Sequence, residues 1–462
     1  MASTYLTRTA TGSVTSDKIF TMSVWLKRSS VTGSGSADHW FMHENASSHT
    51  QKLDLHFTDD EFRMGWWDGS SEYNLDSKMK FRDTNAWYHI VFRCDTTQAT
   101  ASNRVRVYVN GEQIELQQIG GGSPDAQQPA QNATMNLGQK IICIGRYQAS
   151  SPSQYFNGCM SHMHYCDGQS YAPTEFGETD STTGEWKIKP DPSLTYGNNG
   201  FWLFKNDNAV TNRAAGTSSG DFTVSGGTFT KTEDNPSNVF ATFSSLNVPT
   251  SNTPTFAAGN TDLDSCGNAG LFHGSSTLGM SSGKFYAEFK WKSNNYAVAG
   301  VSSRARNDAR ENKRPGAENG SYGFELYNGN VKVNNSTIGG FSGSSLSIGD
   351  ILCIAIDCDN NKLYFRKNGD AWMNSGDPTS GSTGTGAISL TAAGSGDYDG
   401  FWFFVIGDGD TSSSSKISAN FGNGYFLTTA VSSAGSNASG IGIFEYDVPA
   451  GYTALCTKGL NE

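Results

Sequence analysis

The chain has 462 residues, a formal net charge of −11, 53 glycines against 12 prolines, and 12% aromatic residues in a sequence that is 36% hydrophobic. This length suits two large or three smaller domains, and the composition suits many short strands joined by Gly/Ser/Asn/Asp turns around an aromatic-rich core. An acidic balance without a long basic cluster excludes nucleic acid as a partner, and no apolar stretch approaches a membrane span, so no membrane insertion is expected.

The N-terminal run MASTYLTRTATG lacks the charged region and apolar core of a signal peptide. Synthesis in a cytoplasm, without secretion, is therefore expected. Period-two alternation then recurs along the chain, and no stretch of ten or more residues shows 3.6-residue periodicity. In KIFTMSVWLKR, Phe20, Met22, Val24 and Leu26 share one face and Thr21, Ser23, Trp25 and Lys27 the other, which predicts a half-buried strand. WYHIVFRC groups Tyr88, Ile90, Phe92 and Cys94, and RVRVYVNGE groups Val105, Val107 and Val109. Asn110-Gly111 predicts a type I′ hairpin with QIEL as the return strand, because that turn requires positive φ at both central residues.

Cys94, Cys143 and Cys353 sit in strand-like runs and read as small buried hydrophobes. CMSHMHYC, with Cys159, His162, His164 and Cys166, matches no familiar zinc spacing and reads as a half-buried strand. The segment 211–236 is rich in turn residues and is expected to link two domains, 1–210 and 237–462. In the second, GKFYAEFKWK puts Phe285, Ala287, Phe289 and Trp291 on one face, DILCIAIDCD and KLYFRKNGD follow, and Asn368-Gly369 predicts another hairpin. A tail from about 430 carries enough apolar residues to dock on this domain. The run GFWLF at 200–204 returns as GFWFF at 400–404, but the two Asn-Gly pairs do not share that offset, which argues against a duplicated domain.

The fold class is therefore all-β, two tandem antiparallel β-sandwiches. TMSVWLKRS, WYHIVFRCD, RVYVNGE, IICIGR and YFNGCMSHMHYCDG, in that order, resemble the laminin G/concanavalin A-like lectin and glucanase jelly roll. GKFYAEFKW, AVAGVSSR, YGFELYNG, IGDILCIAIDCDNNKLYFRKNGDAW and the stretch from FVIGDGD to SANFGNGYF resemble a SPRY domain. The full pairing is similar to virion proteins of marine tailed phages. That resemblance implies a virion location, other virion subunits as partners, and a homo-oligomer such as a trimer.

Chemistry is sparse. The glucanases of the resembled superfamily use an E-x-D-x-E strand, and ETDSTTGE at 178–185 breaks that spacing with turn residues. GTSSG at 216–220 matches a nucleophile elbow without the strand and helix that motif needs. No catalytic residue, metal ligand or cofactor is assigned, and no enzyme is expected. DCDNN at 357–361 and GDGD at 407–410 keep a structural calcium ion as a candidate. MGWWDGSSEY places Trp66 and Trp67 in succession, so on a strand one indole faces away from the core. With Asp68 and Asn74 beside it, that indole suits stacking on a host-surface polysaccharide; cover by a loop or a neighbouring subunit is the alternative. The charged run SRARNDARENKRPG supplies Arg304, Arg306, Arg310, Lys313 and Arg314 as an interface candidate against a plain solvated loop. The functional expectation is a non-enzymatic adhesion or structural protein of a tail fibre, tail appendage or capsid decoration. A decoration protein without ligand and a polysaccharide hydrolase are the alternatives.

Overall fold

The computed structural model describes residues 4–461 apart from 11, 32–36, 45–51, 68–69, 120–122, 136–139, 148–153, 206–209, 215–219, 247, 249–253, 266–271, 294–295, 304–312, 340, 342–344, 392–399 and 410–413. Two compact units divide the chain, Met1–Lys231 and Thr232–Glu462. Their described regular structure consists of strands and short 3-10 turns, as the alternating pattern predicts.

The first unit packs an eight-stranded sheet on a six-stranded one. From edge to edge, the larger sheet runs Leu116–Gln118, Glu72–Lys80, Glu61–Trp67, Lys52–Thr58, Ala37–Glu44, Ile141–Ile144, Tyr5–Thr9 and Thr223–Ser225. The smaller runs Phe201–Leu203, Gly158–Asp167, Ile19–Arg28, Trp87–Asp95, Val105–Val109 and Glu112–Gln113. Alternate residues of both sheets meet in one core: Phe20, Met22, Val24, Leu26, Ile90 and Phe92 from the smaller, Leu53, Leu55, Phe57, Phe62, Met64 and Trp66 from the larger.

Three details depart from the sequence reading. The outer face of the smaller sheet is covered, not solvated: Trp25 stacks on His89 at 4.8 Å, His89 stacks on Trp186 at 5.9 Å, and the Trp186 indole donates to His89 Nδ1 at 2.9 Å. The segment after residue 168 supplies this cover, with Phe176 and Tyr196 packed on Val91 and Cys166. The Asn110-Gly111 turn forms with φ of 49° and 87°, but its return strand is only Glu112–Gln113, after which Leu116–Gln118 joins the other sheet. The turn-rich segment 211–236 is not plain linker: Thr223–Ser225 pairs with Tyr5–Thr7, and Phe222 is buried against Phe201.

In the second unit, one sheet orders Thr255–Ala257, Asp262–Ser265, Ile417–Asn420, Lys284–Trp291, Ile351–Asp357, Lys362–Lys367 and Ile388–Ser389, with Thr453–Ala454 pairing in parallel beside Lys284–Trp291. The facing sheet orders Phe272–Ser275, Phe403–Asp408, Ala297–Ser302, Ser321–Glu325, Asn330–Val333 and Ser336–Ile338. Phe285, Ala287, Phe289 and Trp291 enter the core as their alternation predicts. Asn368-Gly369 closes no hairpin. The Asn368 side chain instead accepts from the Ile351 amide at 2.8 Å and donates to Asp350 at 2.9 Å, which ties two strand ends together and leaves the chain to leave the sheet.

The C-terminal tail docks on the outer face of the first of these sheets. Phe444, Val448, Tyr452 and Cys456 pack on Tyr286, Cys353, Ala355 and Tyr364. The docking is pinned by Glu288, a fully buried carboxyl that accepts from the amides of Glu445 at 2.9 Å and Tyr446 at 2.8 Å, from Tyr286 Oη at 3.1 Å and from Asn420 Nδ2 at 3.1 Å.

Candidate functional site

The strands Lys52–Thr58, Glu61–Trp67 and Glu72–Lys80 lie side by side in the larger sheet of the first unit. Because Leu53, Leu55, Phe57, Phe62, Met64, Trp66 and Leu75 take the core side, the residues between them share the opposite face. Strand register then sets Lys52, Trp67 and Glu72 in one row, Asp54, Gly65 and Asn74 in the next, and His56, Arg63 and Asp76 in the third. Gly65 sits at the centre, and a Cβ there would lie 2.7 Å from Asp54 Oδ1. The absent side chain makes room for the buried Asp54 carboxylate, and the surrounding face carries one indole, an amide and a guanidinium.

Of the two adjacent tryptophans, Trp66 enters the core at 2% exposure and stacks on Tyr73 at 4.7 Å. Trp67 is half-buried on the outer face, and its indole makes no hydrogen bond or ring contact among the described residues. Arg63 holds Asp76 by a two-point fork, Nε to Oδ1 at 2.6 Å and Nη2 to Oδ2 at 2.8 Å, which fixes the guanidinium plane at the rim. Asn74 is half-buried, and its backbone amide donates to Gln127 Oε1 at 2.9 Å, so its side chain is carried on a fixed strand.

Toward the next strand, His39 lies directly opposite His56, and their rings stack at 4.2 Å. A bulge follows at once: Trp40 and Phe41 both turn into the core against Leu55, which is what leaves His39 on the outer face. Asp54 Oδ1 lies 2.8 Å from His56 Nδ1 and 3.6 Å from His39 Nε2, while Lys52 Nζ stands 3.4 Å from Oδ2. Burial raises the Asp54 carboxyl, but the surrounding His39 and His56 imidazoles and the Lys52 ammonium hold it well below the usual carboxylate range. Burial lowers His39, which keeps that imidazole neutral near pH 7. Lys52 also donates to Tyr147 Oη at 3.3 Å.

The sequence-predicted site residues are only partly brought together here. Trp67 and Asn74 share the same outer sheet face, Trp66 belongs to the core, and Asp68 lies outside the described residues. Among the interface candidates, Arg304, Arg306 and Arg310 lie outside the described residues, Lys313 pairs with Glu318, and Arg314 is held at 2.7 Å by the buried Glu325. Lys52, Asp54, His56, Arg63, Gly65 and His39 were missed. The alternation in KLDLHFT puts Lys52, Asp54 and His56 on one face, but nothing in the sequence sets that face beside Trp67.

Other motifs resolve into local structure. Glu178 and Asp180 belong to an exposed hairpin, where Asp180 Oδ1 accepts from the amides of Thr182 and Thr183 and Lys187 bridges both acids. Asp357 accepts from Asn360 at its own hairpin and pairs with Lys284, and Asp408 Oδ2 accepts from the Ser415 amide. Asp410 and most of GTSSG lie outside the described residues. His164 is buried with Nδ1 2.9 Å from Tyr196 Oη, and Cys166 packs on Val91 and Phe176.

Fold and site thus define a tandem of two β-sandwiches, the first with a polar, aromatic-rimmed sheet face. Comparison gives each its kind: residues 2–170 match the concanavalin A-like lectin/glucanases superfamily in its laminin G form, and residues 284–388 match the SPRY domain. A laminin G/concanavalin A-like domain and a SPRY domain are therefore present, both of them folds of binding proteins. Similar solved structures include the SPRY domain of human HERC1, at 17% identity over 38% of this chain and 96% of that one with a TM-score of 0.30. A heptameric SAP-like pentraxin from Limulus polyphemus matches at 11% identity over 44% of this chain and 89% of its own, TM-score 0.28. The CBM40 of a Ruminococcus gnavus IT-sialidase, bound to alpha2,3 sialyllactose, matches at 14% identity over 36% and 90%, TM-score 0.25. No curated protein matches the chain.

Proposed function

We propose that this chain is a non-enzymatic virion protein of a tailed bacteriophage, a tail fibre, tail appendage or capsid decoration, which adheres to host-surface polysaccharide through the outer sheet face of its first unit. The observation that carries the binding role is the half-buried Trp67 indole, without a ring or hydrogen-bond partner among the described residues, on an outer sheet face it shares with Asn74 and Arg63, with Asp54 buried over Gly65 between them. An indole face stacks on the C–H face of a pyranose, while planar amide, carboxylate and guanidinium groups hydrogen-bond its hydroxyls. The virion assignment rests on the resemblance of the whole domain pairing. Its partners are then neighbouring virion subunits, including further copies of this chain, and many copies on one particle convert a weak site into firm attachment.

The test is adhesion of the purified protein to host envelope polysaccharide, with Trp67→Ala as the variant. Loss of an aromatic anchor of about 2 kcal/mol corresponds to roughly thirtyfold weaker binding. Equal binding by the variant would move the site elsewhere. No binding by either, with this sheet face covered by neighbouring subunits in electron cryomicroscopy of the particle, would make the protein a decoration without ligand.

A further inference from the structure

Among the described residues, His39, Asp54 and His56 form a buried group whose nitrogen and carboxylate atoms all lie within 4.8 Å of one another. We propose that these three side chains bind a divalent transition-metal ion of the zinc class on the outer face of the larger sheet, through His39 Nε2, Asp54 Oδ1 and His56 Nδ1. The inference shares Asp54 with the glycan reading, but His39 and His56 take no part in that reading, and metal uptake is measured without any glycan.

The geometry argues for a shared third centre. Ligand bonds of about 2.0–2.1 Å at tetrahedral angles separate ligand atoms by about 3.3 Å. The carboxylate oxygen is 2.8 Å from one imidazole nitrogen and 3.6 Å from the other, which brackets that spacing. His56 Nδ1 approaches Asp54 closely, yet it makes no hydrogen bond of acceptable direction, and Asp54 Oδ2 and His39 Nδ1 are likewise buried without a hydrogen-bond partner. Buried polar atoms left this way cost free energy, and of these atoms His56 Nδ1 is the one that a bound ion takes up directly. A small rotation of one of the stacked rings closes the third edge of the site.

The donor set also selects the ion. Two imidazoles and one carboxylate suit zinc and its first-row neighbours, whereas calcium and magnesium prefer all-oxygen shells. Three protein ligands leave one coordination position for water or a bound group. The opposing charge is Lys52, whose ammonium lies against Oδ2 and Tyr147, on the far side of the carboxylate from the imidazoles. Removing it tightens the site.

Zinc chloride titrated calorimetrically into the metal-stripped full chain should bind at one ion per chain. Asp54→Asn and the pair His39→Gln with His56→Gln should each weaken it more than tenfold, since even outer-sphere partners of metal ligands cost that much, and Lys52→Ala should tighten it. Circular dichroism establishes that each variant is folded. Cobalt(II) bound to the unaltered protein provides a readout that needs no variant: visible d–d bands without a thiolate charge-transfer band are expected. No uptake by the wild-type chain, equal uptake by folded variants, or a thiolate band placing the ion on cysteine would each overturn the proposal.

Discussion

Replacing Glu288 by alanine should loosen the C-terminal tail, and the loss should depend on pH. The variant leaves the half-buried amides of Glu445 and Tyr446 without acceptors, while Asn420 Nδ2 keeps the Ile443 carbonyl at 2.9 Å. At about 1–3 kcal/mol for each orphaned donor, the cost is about 2–6 kcal/mol when the wild-type carboxyl is neutral. Burial raises Glu288 to about 7, against four donors that pull it down. Between the ordinary carboxyl value and pH 7 the folded protein therefore binds more protons than the unfolded chain. Its contribution to stability is complete at low pH and declines as pH rises through 7, by about 3 kcal/mol in total. The substitution should accordingly cost most near pH 4 and least near pH 8. Hydrogen exchange at the 445 and 446 amides measures the loosening, and urea unfolding from pH 4 to 8 its pH dependence. Parallel pH profiles for wild type and variant, with those amides still protected, would refute the reasoning.

Three further outcomes follow from the first unit. Trp66→Ala should destabilise it by about 3–5 kcal/mol through an emptied core site, whereas Trp67→Ala should change stability by less than about 1 kcal/mol; thermal unfolding separates the two. Gly65→Ala should push the Asp54 carboxyl out of place, since the new methyl would stand 2.7 Å from its oxygen, and should weaken polysaccharide binding with the strand pairing intact by circular dichroism. Arg28→Met should cost about 3–5 kcal/mol in urea, because Arg28 is fully buried between Asp38 at 3.4 Å and Asp60 at 3.2 Å and its removal leaves both acids without it.

Much of the fold was legible because strand alternation is a local property. Phe20 through Leu26 and Phe285 through Trp291 went to the core side that their spacing marks. Asn110 and Asn368 both turn at positive φ, 49° and 51°, and both accept from a distant strand amide, but only the first is followed by a return strand. The outer faces were misjudged for the same reason. Trp25, Ser23 and Tyr286 look like solvent-side residues until the segment after 168 and the C-terminal tail fold over them.

The sequence by itself determined an all-β chain of two sandwiches, the faces of most strands, and that one of two adjacent tryptophans must leave the core. Each follows from the two-residue repeat of an extended backbone. Tertiary structure alone decided that Gly65 and Trp67 would share a face with Asp54 and Asn74 of the neighbouring strands, and that His39 would stand over His56. Those neighbours come from the register between strands and from the bulge at Trp40, and register is set by how whole sheets bury their apolar faces, which no single strand encodes.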